Sequence, residues 1–580
     1  MRGLKYSEIL KINKKLENHN ELYAYDILLL SNVIVHQAKE ITEYTLRKEG
    51  INATVELGDY DNIVQESQQQ KKLDAVIIFW ELSNLIDGLQ YKIELLNRDE
   101  IDVIEKKIKS EINFTLKNLE SCPLILINQF SSFQFSSLSI GTNNLDNLAH
   151  RLNSYLESCI HPNLKLVNLE KIIASIGIQN SFDSRYYYSS KAPYTIEFFK
   201  AYSQFIKPFF MSANGRSKKA LIFDCDNTLW QGILGEDGFN GIEMSPETKN
   251  GAIYREIQSI AISLSRRGVL IGLCSKNNLK DVDEVLASHP DMVLRDEHIT
   301  IKKVNWSDKI INLKEISTEL NIGLDSLVFI DDAPFEINLI KEQLPQVAVI
   351  QVPEKLYEYP NTLRSSLEFF YNLSCTEEDG KKVEMYRGQT QRENIKHDFS
   401  TIDDYLASLE LKVIIHKDDT SLASRVSQMT QKTNQFNLTT KRYTESEILK
   451  FIHNPKITIY TFDVSDKFGD SGVTGLCIVN RNNGSNNCIL DTLLMSCRII
   501  GRNLEYALMN YIVDVMAGKG VQTIQAAYIP SPKNMQVKNF YESCSFELIN
   551  ESGSVKNYSL NVGNCSSKQI EYIRLSDYGR

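Results

Sequence analysis

Residues 221–232 read LIFDCDNTLWQG, an apolar run that passes directly into Asp224 and Asp226 with only Cys225 between them. A short apolar run bounded by polar residues reads as a buried strand. Both carboxylates then stand at its carboxyl end, where ligands of open α/β sheets gather. At positions i and i+2 they share a face of an extended chain, and two bare carboxylates repel unless a cation or a shared proton intervenes. A divalent cation, Mg²⁺, is therefore expected at this point. DxDN strings also close ordinary strand-to-loop turns, and these residues alone leave that alternative open.

Three later stretches extend the pattern. After GAIYREIQSIAISLSRRG, whose apolar residues Ile253, Ile257, Ile260, Ala261 and Leu264 follow helical spacing, comes VLIGLC and then Ser275, Lys276 and Asn277. NWSDKIINLKEISTEL sets Lys309 near the start of a helix, and LVFIDDAPFEI runs another apolar strand into Asp331 and Asp332. Taken alone, Lys309 reads as an exposed helix residue.

A strand-end DxD, a strand-end Ser, a single Lys and a strand-end DD in this order resemble the haloacid dehalogenase-like phosphotransferases. The resemblance implies Asp224 as nucleophile toward phosphorus and Asp226 as general acid/base. It also implies Thr228, Ser275, Lys276 and Lys309 as phosphoryl contacts, and a magnesium set drawn from Asp224, Asp226, Asp331 and Asp332. A carboxylate attacks a phosphate dianion only if the converging negative charge is neutralised, which Mg²⁺ and Lys309 can do. The stretch between Asp224 and Ser275 is too short for a large cap domain. The site should therefore be open, suited to a phosphate carried on something large or covered by a neighbouring domain.

DCDNTLWQGILGEDG, CSKNN, NWSDK, VFIDDAPFE, QKTNQFNLTTKRY, FGDSG and SCRIIGRNLE together resemble the FkbH-like family. This resemblance implies transfer of a three-carbon glyceryl unit from 1,3-bisphosphoglycerate to the phosphopantetheine thiol of an acyl carrier protein, with loss of phosphate. The chain departs from the family in Ala333, where Asn is frequent, and in Cys225, where Leu is common. An acyl phosphate is reactive enough for a thiolate to capture it, and Cys274, beside Ser275 at a strand end, is the candidate acyl-bearing cysteine. Further on, Arg498, Gly501 and Asn503 approximate the phosphate-binding turn of GNAT acyltransferases, without its final Gly. KNMQVKNFYESCSFE is similar to a later segment of that fold, with Asn534 and Tyr541 in the matching positions. Backbone amides at a helix start suit a pantetheine arm, so Asn434, Gln435, Arg498, Gly501, Asn534 and Tyr541 are the expected pantetheine contacts, while Lys441 and Arg442 are placed to meet the arm's phosphate or an acidic carrier surface.

The elements that must position these groups fall in three regions, in keeping with the roughly three to four domains that 580 residues allow. Residues 1–210 alternate apolar strands such as DAVIIF and PLILINQF with helical stretches, predicting a parallel sheet, and the family resemblance implies that it is of SGNH or flavodoxin type. Ser31, Asn32 and Asp183 match fragments of an SGNH site, but no D-x-x-H lies near Asp183, so an inactive or accessory domain is expected. Residues 217–375 form the capless haloacid dehalogenase-like Rossmann unit, and residues 376–580 a GNAT-like α+β domain. A net charge of -10 with both signs interspersed offers no cationic field for nucleic acid. The charged start and the absence of long apolar runs argue against a membrane span and for a cytoplasmic protein. Ten cysteines without a CxxC pair read as reduced thiols. The competing functional class is a plain Mg-dependent phosphatase acting on a surface-glycan or other phosphorylated intermediate, with the flanking domains used for binding.

Overall fold

The structure, a computed structural model, describes residues 3–17, 24–68, 72–134, 143–373, 385–389, 392, 395, 399–481, 486–531, 533–564 and 570–578. Cys375 and Cys565 lie outside them. The chain divides into two compact units, Met1–Asn214 with Arg442–Ile448, and Gly215–Lys441 with Leu449–Arg580.

The first unit is built on β1 (Tyr25–Ser31), β2 (Ala53–Leu57), β3 (Ala75–Phe79), β4 (Ile125–Asn128) and β5 (Leu164–Val167). They pair in the order β2-β1-β3-β4-β5 and every pairing is parallel, the flavodoxin-like arrangement. Every residue of AVIIF in β3 is buried; strands covered on both faces read as continuous apolar runs. Asn32 is also buried, and it exchanges two hydrogen bonds with the Glu81 backbone. The Ser31 hydroxyl accepts from Val33 N, and Asp183 caps the helix Ser184–Ser190 while pairing with Arg185. Each of these polar groups thus serves the local chain path.

In the second unit, β6 (Ala220–Phe223), β7 (Leu270–Ser275), β8 (Ile299–Val304), β9 (Leu327–Asp331) and β10 (Ala348–Gln351) form a second parallel sheet in the order β10-β9-β6-β7-β8. Between β6 and the helix Lys249–Arg266 there is only one four-residue helix, Leu234–Asp237. Among the described residues no cap domain is inserted between these two elements.

The third sheet contains β11 (Lys412–Lys417), β12 (Phe436–Asn437), β13 (Ile457–Asp466), β14 (Gly469–Arg481), β15 (Asn487–Met495), β16 (Thr523–Tyr528), β17 (Glu547–Ser552), β18 (Val555–Asn561) and β19 (Arg574–Asp577). Its order is β17-β18-β16-β15-β14-β13-β11-β19, with β12 on β15. Pairing is mixed: β13, β14 and β15 run antiparallel, whereas β15 and β16 are parallel. The mostly apolar helix Leu504–Gly518 packs into the core of this sheet. Among the described residues no helix is long and apolar enough to cross a membrane.

Candidate active site

Register sets the site. Phe223 lies opposite Leu273 on one side and Ile330 on the other, so Asp224, Cys274 and Asp331 are level across three adjacent strand ends. Asp224, Asp331 and Asp332 each offer an oxygen within 4.8 Å of the others, the arrangement of a metal set. Lys309, the first residue of the helix Lys309–Glu319, reaches in from the side. Its Nζ lies 2.6 Å from Asp331 Oδ2 and 3.1 Å from Asp224 Oδ1, with all three side chains buried. The other Asp331 oxygen accepts from Ala333 N at 2.9 Å and fixes the turn; a backbone amide supplies this contact whatever the side chain at 333.

Burial pushes the Asp224 carboxyl up, to about 7; Lys309 and Ser275 oppose the rise and Asp331 adds to it. Asp332 is raised by burial and by Asp331. Crowded, desolvated carboxyls of this kind are a donor set made for a hard divalent cation, which reverses the penalty on their ionised forms. The residues present fit Mg²⁺.

Asp226 is turned away from this cluster. Its Oδ1 accepts from Trp230 Nε1 and Leu234 N, both at 3.0 Å, and its Oδ2 from Asn277 Nδ2 at 2.8 Å. These donors fix its rotamer beside the site, so of the four carboxylates expected to ligate metal through side chains, three converge and Asp226 does not. The sequence reading missed Trp230 and Asn277 as its supports; the signal was the position of Asn277 two residues after Ser275, whose hydroxyl it also contacts at 3.2 Å. Asn227 makes the bend possible with φ of 52°, a conformation Asn tolerates better than most residues, and its Oδ1 accepts from Gly232 N.

The other expected phosphate contacts are close by but differently engaged. Ser275 is buried and supports Asp224. Thr228 is fully buried, and its hydroxyl has no hydrogen-bond partner among the described residues. Lys276 bonds Glu336 at 2.7 Å, with Asp308 at 4.0 Å, so in this conformation its charge ties the turn after β7 to the starts of the helices Lys309–Glu319 and Pro334–Gln343.

Cys274 lies under the site and is sealed there. It belongs to the apolar layer of Ala220, Ile222 and Leu270, and its Sγ contacts the Lys309 carbonyl at 3.9 Å. Burial pushes the thiol well up, which opposes thiolate formation. Cys225 points into the opposite core layer. Under native conditions iodoacetamide should therefore, among the described cysteines, modify the partly exposed Cys159, Cys497 and Cys544 first and spare Cys274 and Cys225. Peptide mapping that finds Cys274 among the fast-reacting thiols would contradict this placement.

The expected pantetheine contacts do not converge on one open groove. Asn434 Nδ2 donates to Gly215 O at 3.2 Å. Gln435 Oε1 is buried without a partner among the described residues. Asn534 is fully buried and bonds Tyr528 Oη, Ser531 N, Asn437 O and Ile529 O. Tyr541 sits in an aromatic core, its ring 5.1 Å from Phe546 and 5.3 Å from Tyr558. Gly501, with φ of 83°, and Asn503, with φ of 59°, shape the turn into the helix Leu504–Gly518. Arg498 is held inward, its Nε on Ser496 Oγ and its carbonyl accepting from Arg502. Arg502 and Arg392 both pair with the buried Asp466. Lys441 pairs with Asp491, and Arg442 Nη1 donates to Ala213 O at 2.9 Å within the first unit.

The crystal structure of the N-terminal part of the protein BF1531 from Bacteroides fragilis, containing a phosphatase domain complexed with Mg, is 25% identical and covers 64% of this chain and 100% of its own, with a TM-score of 0.56. The PaiA N-acetyltransferase from Thermoplasma acidophilum in complex with coenzyme A is 18% identical, covering 20% of this chain and 72% of its own at a TM-score of 0.18. The ribosomal-protein-S18-alanine N-acetyltransferase from Escherichia coli is 14% identical, covering 27% and 97% at a TM-score of 0.21. No protein-family model and no curated protein matches the chain. The similarity to the Bacteroides structure agrees with the strand order and strand-end carboxylates described above, and the chain is an α/β multidomain protein carrying a haloacid dehalogenase-like phosphatase fold.

Proposed function

We propose that this protein is a Mg-dependent phosphatase and acyl transferase that takes a glyceryl or related three-carbon acyl unit from 1,3-bisphosphoglycerate, removes phosphate and loads the unit on the phosphopantetheine of an acyl carrier protein. The observation that carries the phosphate half is the cluster of Asp224, Asp331 and Asp332 closed by Lys309. The acyl half rests on the sequence resemblance.

In this reading Asp224, Asp331 and Asp332 hold the ion, which when bound supplies positive charge against the phosphoryl oxygens. A thiolate of the carrier attacks the acyl carbon of the acyl phosphate; the C–O bond to phosphate breaks and inorganic phosphate leaves. Asp224 then attacks phosphorus of the remaining phosphomonoester, and Asp226, released from the Trp230, Leu234 and Asn277 donors that hold it aside, gives a proton to the departing alkoxide. Water, deprotonated by Asp226, hydrolyses the aspartyl phosphate. Lys309 moves its charge from the carboxylates to the phosphoryl oxygens, joined by the Ser275 and Thr228 hydroxyls. Burial of Cys274 favours direct capture by the pantetheine thiolate over passage through that cysteine. Exposed Trp306, on the loop after β8, and Phe335, at the start of the helix Pro334–Gln343 that follows β9, give the open carboxyl edge an apolar border, in keeping with a substrate borne on a protein.

The plain phosphatase is the second reading, favoured by the sealed Cys274 and the inward-held Arg498. Phosphate release from 1,3-bisphosphoglycerate in EDTA, followed by Mg²⁺ addition, tests what both share. Release should fall to background in EDTA and return with Mg²⁺; undiminished release in EDTA would remove the metal from the mechanism.

A further inference from the structure

Within the second compact unit, the region of the third sheet is fastened to one end of the second sheet. Asn434 Nδ2 donates to Gly215 O at 3.2 Å, just ahead of β6. Arg387, in the segment leading to the third sheet, donates from Nε to the carbonyl of Ile299, the first residue of β8, at 3.1 Å. Asn321 Nδ2 donates to Cys497 O, and Lys533 pairs with Asp325 at 2.6 Å. Asn321 and Asp325 lie between the helix Lys309–Glu319 and the start of β9. Tyr386 is buried with Ala220, Leu270 and Leu327, the first residues of β6, β7 and β9. All of these contacts fall at the amino end of the second sheet, whereas Asp224, Asp331 and Asp332 stand at its carboxyl end.

Asn434 is itself one of the expected pantetheine contacts, and Cys497 and Lys533 are the chain neighbours of two others, Arg498 and Asn534. These members of the expected set therefore lie on the amino-end side. β9 alone, from Leu327 to Asp331, puts about 13 Å between the two ends. The way through is filled: Leu221 and Phe223 on one face, and Ile222 and Phe329 on the other, are fully buried in layers packed as densely as organic crystals. A route round the outside must clear a helix layer on the way out and again on the way back, on the order of 30 Å in all. A phosphopantetheine arm matches about five residues of extended chain, roughly 17 Å. From one docking position it reaches one end of the sheet and not the other.

We propose that the acyl step and the phosphate step are served at opposite ends of the second sheet, so that the carrier lets go between them and its phosphoglyceryl thioester returns to Asp224 as a free substrate. This rests on the carrier-loading reading. In the first encounter the carrier thiolate forms the C–S bond, the C–O bond to phosphate breaks and inorganic phosphate leaves. In the second, the remaining phosphate ester is hydrolysed: water supplies the oxygen that departs on phosphorus and the proton that stays on the glyceryl hydroxyl. The carboxyl end is then a docking face for a carrier that is already acylated, and any acyl-transfer reaction that yields a phosphorylated acyl carrier can supply it.

Isotope dilution with the full chain tests this. The protein receives heavy-isotope 1,3-bisphosphoglycerate, Mg²⁺, phosphopantetheinylated carrier and a saturating pool of synthetic, unlabelled phosphoglyceryl carrier, and every carrier form is followed by intact mass. A released intermediate mixes with the pool, so heavy phosphoglyceryl carrier should build up in solution. With the pool in roughly tenfold excess, early heavy glyceryl carrier should fall about tenfold below a control without it, because a released species competes at its bulk concentration instead of an intramolecular effective one. Heavy glyceryl carrier formed at the control rate, with no heavy phosphorylated carrier in solution, would overturn the proposal while leaving the carrier-loading reading intact. Heavy label on no carrier, while the unlabelled pool still loses phosphate, would defeat the carrier-loading reading and this proposal with it.

Discussion

Asp224→Asn should lose release of phosphate from the phosphomonoester by at least about 10³-fold while remaining folded. The amide has nearly the shape of the carboxyl but no anionic oxygen to attack phosphorus. It also removes one ligand from the three-carboxylate cluster, so the affinity for Mg²⁺ should fall with the rate. The fold should tolerate the change because Asp224 is desolvated and its carboxyl already raised by burial, which makes a neutral group at this position less costly than the ionised one. Steady-state phosphate release with circular dichroism on the same preparation checks both halves. A folded variant releasing phosphate at the parent rate would remove Asp224 from the mechanism.

Lys309→Met is the second large effect, and it separates the stability role of Lys309 from its chemistry. Without a cation, Lys309 is the charge that compensates Asp224 and Asp331 at 3.1 and 2.6 Å. Removing one partner of a buried ion pair typically costs about 3–5 kcal/mol. In EDTA at neutral pH the variant should therefore unfold at a clearly lower temperature than the parent. A carboxyl whose folded pKa stands above its unfolded value costs stability once the pH exceeds the unfolded value, and Asp224 is raised further when its cation is lost. The deficit should accordingly shrink as pH is lowered toward 5. Saturating Mg²⁺ should restore most of the lost stability by binding the folded state, yet not phosphate release, because the ion cannot also take the place of Lys309 on the phosphoryl oxygens. Thermal unfolding at two pH values with EDTA or Mg²⁺ reads this directly; a deficit of the same size in every condition would mean that the carboxylates do not hold the ion.

The strands that end in Asp224 and Asp331 were legible because parallel strands buried on both faces are written as nearly continuous apolar runs, with polar residues beginning where the sheet stops. The α/β multidomain class followed from the same runs. What escaped the sequence depends on side chains meeting across loops. Asp226 turns aside because Trp230 and Asn277 capture it, and only the place of Asn277 two residues after Ser275 hints at such a partner. Cys274 could have been judged by alternation, since it neighbours Ser275 and so faces the opposite side of the sheet; its chemical appeal as a thiol outweighed that geometry in the sequence reading. The inward course of Arg498 is set by Ser496 Oγ and by Arg502 on its carbonyl, and Arg502 is itself anchored on Asp466, distant in the chain. β12 is two residues long, too short to carry any periodicity, and it became visible only through its pairing with β15.

Intact-mass measurement of candidate acyl carrier proteins, in their phosphopantetheinylated form, after incubation with the protein, 1,3-bisphosphoglycerate and Mg²⁺ tests the central claim most directly. The account predicts that a carrier gains the mass of one glyceryl unit without phosphate, that the gain is reversed by hydroxylamine as a thioester requires, and that Asp224→Asn yields at most the phosphorylated adduct. Phosphate release from 1,3-bisphosphoglycerate at full rate, with every phosphopantetheinylated carrier unchanged in mass, would contradict it and leave the plain phosphatase standing.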